Sequence, residues 1–257
     1  MLAINEVYNA DCIEAMREID DKTVDLILCD LPYGVTARNQ WDVLIDPVKL
    51  WEQYERITKE NGVIVLFGSG MFTAEMMKAG AKMWRYNLIW QKTNPTGFYN
   101  ARRCPLRAHE DIMVFYKKQP TYNPQKTYGH RRKVATAEHK RNCKQSLCYN
   151  QAKNTKTYDS TERFPTSVLT FKTDKQRCSL HPTQKPIELL RWIIRTYTNE
   201  WDLVLDNACG SGSACVAAVL EKRNYIGMDN GVCETGKSEH FGKPWAEIAK
   251  ERIAELK

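Results

Sequence analysis

The chain has 257 residues, 42% hydrophobic and 27% charged, which is enough for a full buried core and rules out wholesale disorder. No apolar run approaches the ~18 residues a membrane-spanning helix needs, and MLAINEVYNAD has no basic stretch leading into an apolar one. A cytoplasmic chain without membrane contact is therefore expected. The net charge of +7 is uneven: Lys117–Arg163 carries 12 basic and 3 acidic residues, and the remainder nets −2. A near-neutral body with one basic segment suits a polyanion partner; a solvated loop with no partner is the bland alternative.

In chain order, the first part alternates strands and helices. Ile4–Asn9 reads as a short strand and Cys12–Ile19 as a helix. VDLILC at Val24–Cys29 is the continuous apolar run of a strand buried on both faces. Pro47 after Asp46 opens a helix that is expected to close near Asn61-Gly62, before the strand Val63–Phe67. A helix at Met71–Lys78 and strands at Tyr86–Gln91 and Asp111–Tyr116 follow. From Lys117 to Arg163 large aliphatic residues almost vanish, and a loop-rich insertion that orders fully on its partner is expected. Strands return at Val168–Phe171, Leu203–Leu205 and Tyr225–Met228. Helices are expected from Pro186, over Ser213–Lys222 and over Trp245–Leu256. This alternation predicts an α/β doubly wound sheet. Its organisation is residues 1–116 and 164–257 as two parts of one domain, with 117–163 inserted between them.

Two segments carry chemistry. Asp206-Asn207-Ala208-Cys209-Gly210-Ser211-Gly212 follows a strand and opens a helix, so a ligand can approach its backbone and meet free amides. Asp229 ends the next strand, where an acid can accept from a ribose diol. The second segment, Asp30-Leu31-Pro32-Tyr33, places an acid and a ring at the mouth of the sheet. That pair suits a planar heterocycle with an amino group: the ring stacks and the carboxylate accepts from the amine. The nine cysteines include no CxxC pair and read as reduced thiols, and no metal site is expected. No Pro-Cys pair occurs, which disfavours covalent attack on cytosine carbon-5.

Together these segments resemble the S-adenosylmethionine-dependent amino-methyltransferases of DNA, in the order of their β group: tetrapeptide, insertion, glycine turn. NADC (Asn9–Cys12), IWQKTNPTGF, HEDIMVFYK and HPTQKP (His181–Pro186) are similar to family segments. Leu31, Asn207 and Ala208 depart from the family's usual proline, proline and phenylalanine, and the stretch 230–244 is extra. The resemblance implies a Rossmann-like, mostly parallel, seven-stranded sheet. It implies methyl transfer from S-adenosylmethionine to the N6 amino group of adenine in duplex DNA, after base flipping and by direct in-line displacement. Asp30, Leu31, Pro32 and Tyr33 would form the catalytic loop. Asp11, Cys12, Asp30, His181, Thr183, Lys185, Asp206, Gly210, Gly212 and Asp229 would bind the cofactor. Arg131, Arg132, Lys133, Lys140 and Arg141, among tyrosines 122, 128, 149 and 158, would meet DNA. A restriction-modification setting, in a bacterial or phage-infected cell, goes with this resemblance. Cytosine N4 as the target, a non-catalytic DNA-binding protein of the same fold, and a homodimer all stay open.

Overall fold

The structure is a computed structural model that describes residues 2–34, 44–138, 157–173, 184–234 and 240–256. The elements are β1 (Glu6–Tyr8), α1 (Cys12–Arg17), β2 (Val24–Cys29), α2 (Pro47–Ile57), β3 (Thr58–Gly68), α3 (Met71–Ala79), β4 (Trp84–Thr96) and β5 (Arg107–Phe115). After these come β6 (Lys133–Ala135), β7 (Tyr158–Ser160), β8 (Val168–Phe171), α4 (Ile187–Tyr197), β9 (Leu203–Asp206), α5 (Ser213–Leu220), β10 (Asn224–Met228) and α6 (Trp245–Ala254).

The main sheet has the order β1-β10-β9-β2-β3-β5-β4-β8 and is parallel except for β5, which runs against both of its neighbours. The doubly wound α/β architecture is as expected. Among the described residues the sheet has eight strands rather than seven, because β8 pairs in parallel with the outer side of β4.

The run VDLILC behaves as a strand covered on both faces. Leu26 and Leu28 point into the core under α4, α5 and α6, whereas Ile27 and Cys29 point into the core under α1, α2 and α3. From Leu26 to Cys29 both faces are apolar and buried, and each buried Leu or Ile adds about 1.5–3 kcal/mol. Helix α2 starts as its sequence predicts: Asp46 caps it by accepting from the Val48 amide at 2.9 Å, with Pro47 in the first turn.

The end of α2 differs from expectation. The helix stops at Ile57, and Asn61-Gly62 lies inside β3. A Cβ on Gly62 would stand 3.0 Å from the Val24 carbonyl and 3.1 Å from that of Asp25, so this glycine admits β3 beside β2 rather than capping a helix.

Two compact units divide the chain: 1–123 with 167–257, and Pro124–Thr166. The composition changes at Lys117, but Tyr122 packs on Tyr197 with ring centroids 6.3 Å apart. Asn123 donates to the carbonyls of Arg195 and Thr198. Both residues are thereby fastened to the larger unit. The smaller unit contains regular structure, the antiparallel pair β6–β7, with Lys133 opposite Ser160 and Ala135 opposite Tyr158.

Candidate active site

Between β9 and β2 the winding of the sheet reverses: β10 and β1 lie to one side, β3 to the other. Ligands bind at the carboxyl ends of the strands at such a switch point. Asp206 ends β9, Asp30 follows β2 and Asp229 follows β10, so parallel pairing brings all three acids to one edge. They line a single cavity of about 1530 Å³, together with Asp11, Cys12, Leu31, Pro32, Tyr33, Lys185 and Gly210. Strand β5 runs the other way, so its first residues reach the same edge and set Glu110 into the cavity wall.

Asp30 is firmly held. Its Oδ1 accepts from the Tyr33 hydroxyl at 2.8 Å, and its Oδ2 pairs with the Lys185 ammonium. Lys185, only 7% exposed, also lies 3.3 Å from Glu110, whose other oxygen pairs with Lys92 at 2.5 Å. Two carboxylates and two ammonium groups thus form a neutral chain: Asp30, Lys185, Glu110, Lys92. The Lys185 ammonium sits over the rings of Phe67, at 5.1 Å, and Tyr33, at 5.9 Å. Burial pushes the Asp30 carboxyl above its ordinary range, against the pull of Lys185. Burial acts on Glu110 in the same sense, but Lys185 and Lys92 outweigh it and hold that carboxyl low. Lys185 is itself desolvated, yet its two carboxylates keep it above the usual lysine range. Tyr33 also stacks on Phe72, with centroids 4.6 Å apart and planes at 27°.

The glycine turn is wired differently from its sequence reading. Four of its amides are engaged within the protein: Ala208 donates to Asp206 at 3.3 Å, Cys209 to the Met228 carbonyl, Gly210 to Asp229 at 2.8 Å and Gly212 to the Cys209 carbonyl. The two aspartates therefore shape the turn. The second oxygen of Asp229 accepts from Gly231 at 2.8 Å. Gly212 is not among the cavity-lining residues. Its φ is +76°, and a Cβ there would meet Ala249 Cβ at 2.7 Å, so it seats α6 against the turn.

Asn207 accepts from the buried Tyr54 hydroxyl at 2.7 Å. Asp11 caps α1 through the amides of Ile13 and Glu14. Part of the extra stretch folds onto α6 through a small core of Cys233, Trp245 and Ile248. His181, Thr183, Lys140, Arg141, Tyr149 and residues 235–239 lie outside the described residues.

Asp206 is a buried carboxylate and Asp229 a partly buried one, and neither has a cationic partner among the described residues. Burial, with the nearby charges of Asp30 and Asp229, raises Asp206 to about 7. Burial raises Asp229 too, opposed by the Gly231 and Gly210 amides. Such a site suits a ligand that brings positive charge.

In the smaller unit Arg131, Arg132 and Lys133 are exposed. Arg132 grips Asp159 through two parallel hydrogen bonds, of 2.7 and 2.5 Å, and the Arg131 carbonyl accepts from Arg163. One of the three cations thus has a partner across the strand pair.

A switch-point cavity with an acid-lined turn on one side and an acid–aromatic loop on the other defines an α/β protein with a ligand cavity at the carboxyl ends of its strands. Comparison with known proteins narrows the class. The family model described as DNA methylase, N6_N4_Mtase, matches residues 24–235. The chain is 27% identical over 286 residues to the Type II methyltransferase M.HinfI of Haemophilus influenzae, covering 99% of this chain and 69% of that one. It is 28% identical to the Type II methyltransferase M2.MboI of Moraxella bovis, covering 87% and 82%. Among solved structures, the M1.HpyAVI–SAM complex superposes with a TM-score of 0.62 at 22% identity, covering 96% of this chain and 98% of that one. The cytosine-N4-specific PvuII DNA methyltransferase superposes with a TM-score of 0.62 at 14% identity, covering 97% and 90%. The chain belongs to the N6/N4 DNA methylase family.

Proposed function

We propose that the protein transfers a methyl group from S-adenosylmethionine to the N6 amino group of adenine in duplex DNA, with the target base flipped into the Asp30 side of the cavity. The observation that carries this reading is one cavity with two unlike halves. Its volume exceeds the ~300–1,000 Å³ usual for a single small ligand, leaving room for a cofactor and a base together.

The residues of the Asp206–Asp229 half fit S-adenosylmethionine. The buried Asp206 and the partly buried Asp229 face the cavity without cations, and the buried Gln184 Oε1 has no hydrogen-bond partner among the described residues. Asp229 would accept from the ribose hydroxyls, Asp206 would face positive charge, and the segment around Asp11 and Cys12 would border the adenine. When bound, the cofactor supplies an electrophilic methyl group. On the other side Asp30 and the Leu31 carbonyl accept from the target amine and orient its lone pair, while Pro32 and Tyr33 shape the wall. Positioning in a water-poor cavity supplies most of the rate.

A carboxylate accepts from the amine of either base, so chemistry alone does not choose; the choice of adenine rests on the resemblance, in which an acidic first residue of the tetrapeptide goes with adenine enzymes. Digesting DNA methylated by the protein to nucleosides and weighing them decides it. Methylated deoxyadenosine is expected; methylated deoxycytidine alone would move the assignment to cytosine N4. Failure to bind S-adenosylmethionine in a calorimeter would instead favour a non-catalytic DNA-binding protein.

Asp206 gives this reading a pH signature. Its carboxyl, raised to about 7, is protonated below that value and charged above it. A cationic ligand binds the charged form, so S-adenosylmethionine affinity should fall as pH drops through 7, by up to about tenfold per unit. Asp206→Asn should bind more weakly at pH 8 and lose the dependence. A wild-type affinity that is flat from pH 5 to 8 would take Asp206 out of the cofactor site.

The smaller unit is the proposed principal DNA contact, with Arg131 and Lys133 on phosphates. Changing both to Gln should lower the log–log salt slope of DNA binding by about two. Changing Arg132, paired with Asp159, should lower it less. Cofactor affinity should stay the same in both variants. An unaltered slope would remove these side chains from the phosphate contact.

A further inference from the structure

The loop of residues 97–106 joins β4 to β5 where the two strands line the cavity. Asn94, Pro95, Thr96 and Arg107, at its base, form part of the cavity wall. The tip is folded rather than slack. A turn of 3-10 helix spans Phe98–Asn100, and the Asn100 carbonyl accepts from the amides of Arg103 and Cys104. On this ordered tip Phe98 is 79% exposed and Tyr99 wholly so. Arg102, Arg103 and Arg107 are also exposed and form no ion pair with any described residue.

Residues 92–107 contain four cations and no Asp or Glu. Their charge is hidden in the near-neutral total of the larger unit. Single exposed aromatics are ordinary on protein surfaces, but two adjacent ones on a rigid, acid-free, arginine-bearing tip are not. The chemistry that satisfies all of it is a polyanion with stacked flat rings.

We propose that this β4–β5 loop is a second DNA-contacting element: Arg102 and Arg103 hold phosphates beside the cavity mouth, and Phe98 and Tyr99 stack on bases next to the nucleotide that enters the cavity. The proposal rests on the methyltransferase reading and adds to it where the duplex lies against the larger unit. An apolar wedge at an opened base step compensates for lost stacking, and each base–aromatic contact contributes ~1–3 kcal/mol. The two cations act independently of base sequence.

The test uses the whole chain and unmethylated duplex DNA of mixed sequence. Phe98→Ala/Tyr99→Ala should lower methyl transfer to duplex by about tenfold or more and to single-stranded DNA of the same sequence by much less, because only the duplex has a stack to open. Arg102→Gln/Arg103→Gln should lower the salt slope of duplex binding by about two. S-adenosylmethionine affinity, unchanged in both, reports an intact fold. Wild-type transfer rates and salt slope in both variants would overturn the proposal and leave the methyltransferase reading standing. So would variants that change only self-association in the ultracentrifuge, which would make the tip a contact between copies of this chain. A wild type that neither binds nor methylates DNA would remove both readings.

Discussion

Asp30→Ala is expected to reduce methyl transfer by ~10²-fold or more while S-adenosylmethionine binding is kept. Asp30 sits at the end of the buried strand β2, with one oxygen on the Tyr33 hydroxyl and the other on Lys185. Both contacts fix its direction, so its remaining lone pairs are presented to the cavity in one geometry. An acceptor held in this way loses little on meeting the target amine, and orienting the nitrogen lone pair is most of what a direct displacement needs. The chain should still fold, because Lys185 keeps Glu110 as a partner. Single-turnover rates with saturating cofactor would measure the effect. Near-normal turnover would show that the Leu31 carbonyl alone suffices and that Asp30 is a structural partner of Lys185.

The parts of the site legible in the sequence are those that depend on local pattern. A buried apolar run followed by Asp30 marks a strand end, and a strand, a glycine turn and a helix mark Asp206–Gly210. Asp229 follows from the next strand. Parallel pairing does the rest, since it sends all three strand ends to one edge. What the pattern cannot carry is pairing between distant residues. Lys185 and Asp30 are 155 positions apart, and nothing periodic links them. Glu110 is not legible in its segment: HEDIMVFYK reads as a strand, and only the antiparallel direction of β5 places its first residues in the cavity. Gly210 and Gly212 look alike in sequence; only the packing of Ala249 separates a cavity-lining glycine from one that seats a helix. The β4–β5 tip does not stand out in the charge pattern, because in the near-neutral total of the larger unit its four cations are balanced by distant acids.

Lys185→Met tests the buried chain of charges, and with it the choice between two roles for this lysine. The resemblance places Lys185 at the cofactor; the geometry places its ammonium between Asp30 and Glu110. Met matches the length of the side chain but removes the charge, leaving two part-buried carboxylates facing each other with only Lys92 to compensate. Breaking a buried ion pair on one side costs about 3–5 kcal/mol. In a chain of this size that lowers Tm by roughly 6–20 °C. A second consequence separates positioning from simple support. Burial already raises the Asp30 carboxyl, and the Lys185 charge opposes that rise. Without Lys185 the Asp30 pKa goes higher still, so a smaller fraction is ionised at neutral pH. If ionised Asp30 is the form that holds the amine, the acid limb of the rate profile moves to higher pH, and part of the lost activity returns as the medium is made more alkaline. Cofactor affinity then changes little at pH 8. The opposite result, an unmoved acid limb with S-adenosylmethionine affinity weakened tenfold or more, would return Lys185 to the cofactor and leave Asp30 held by Tyr33 alone.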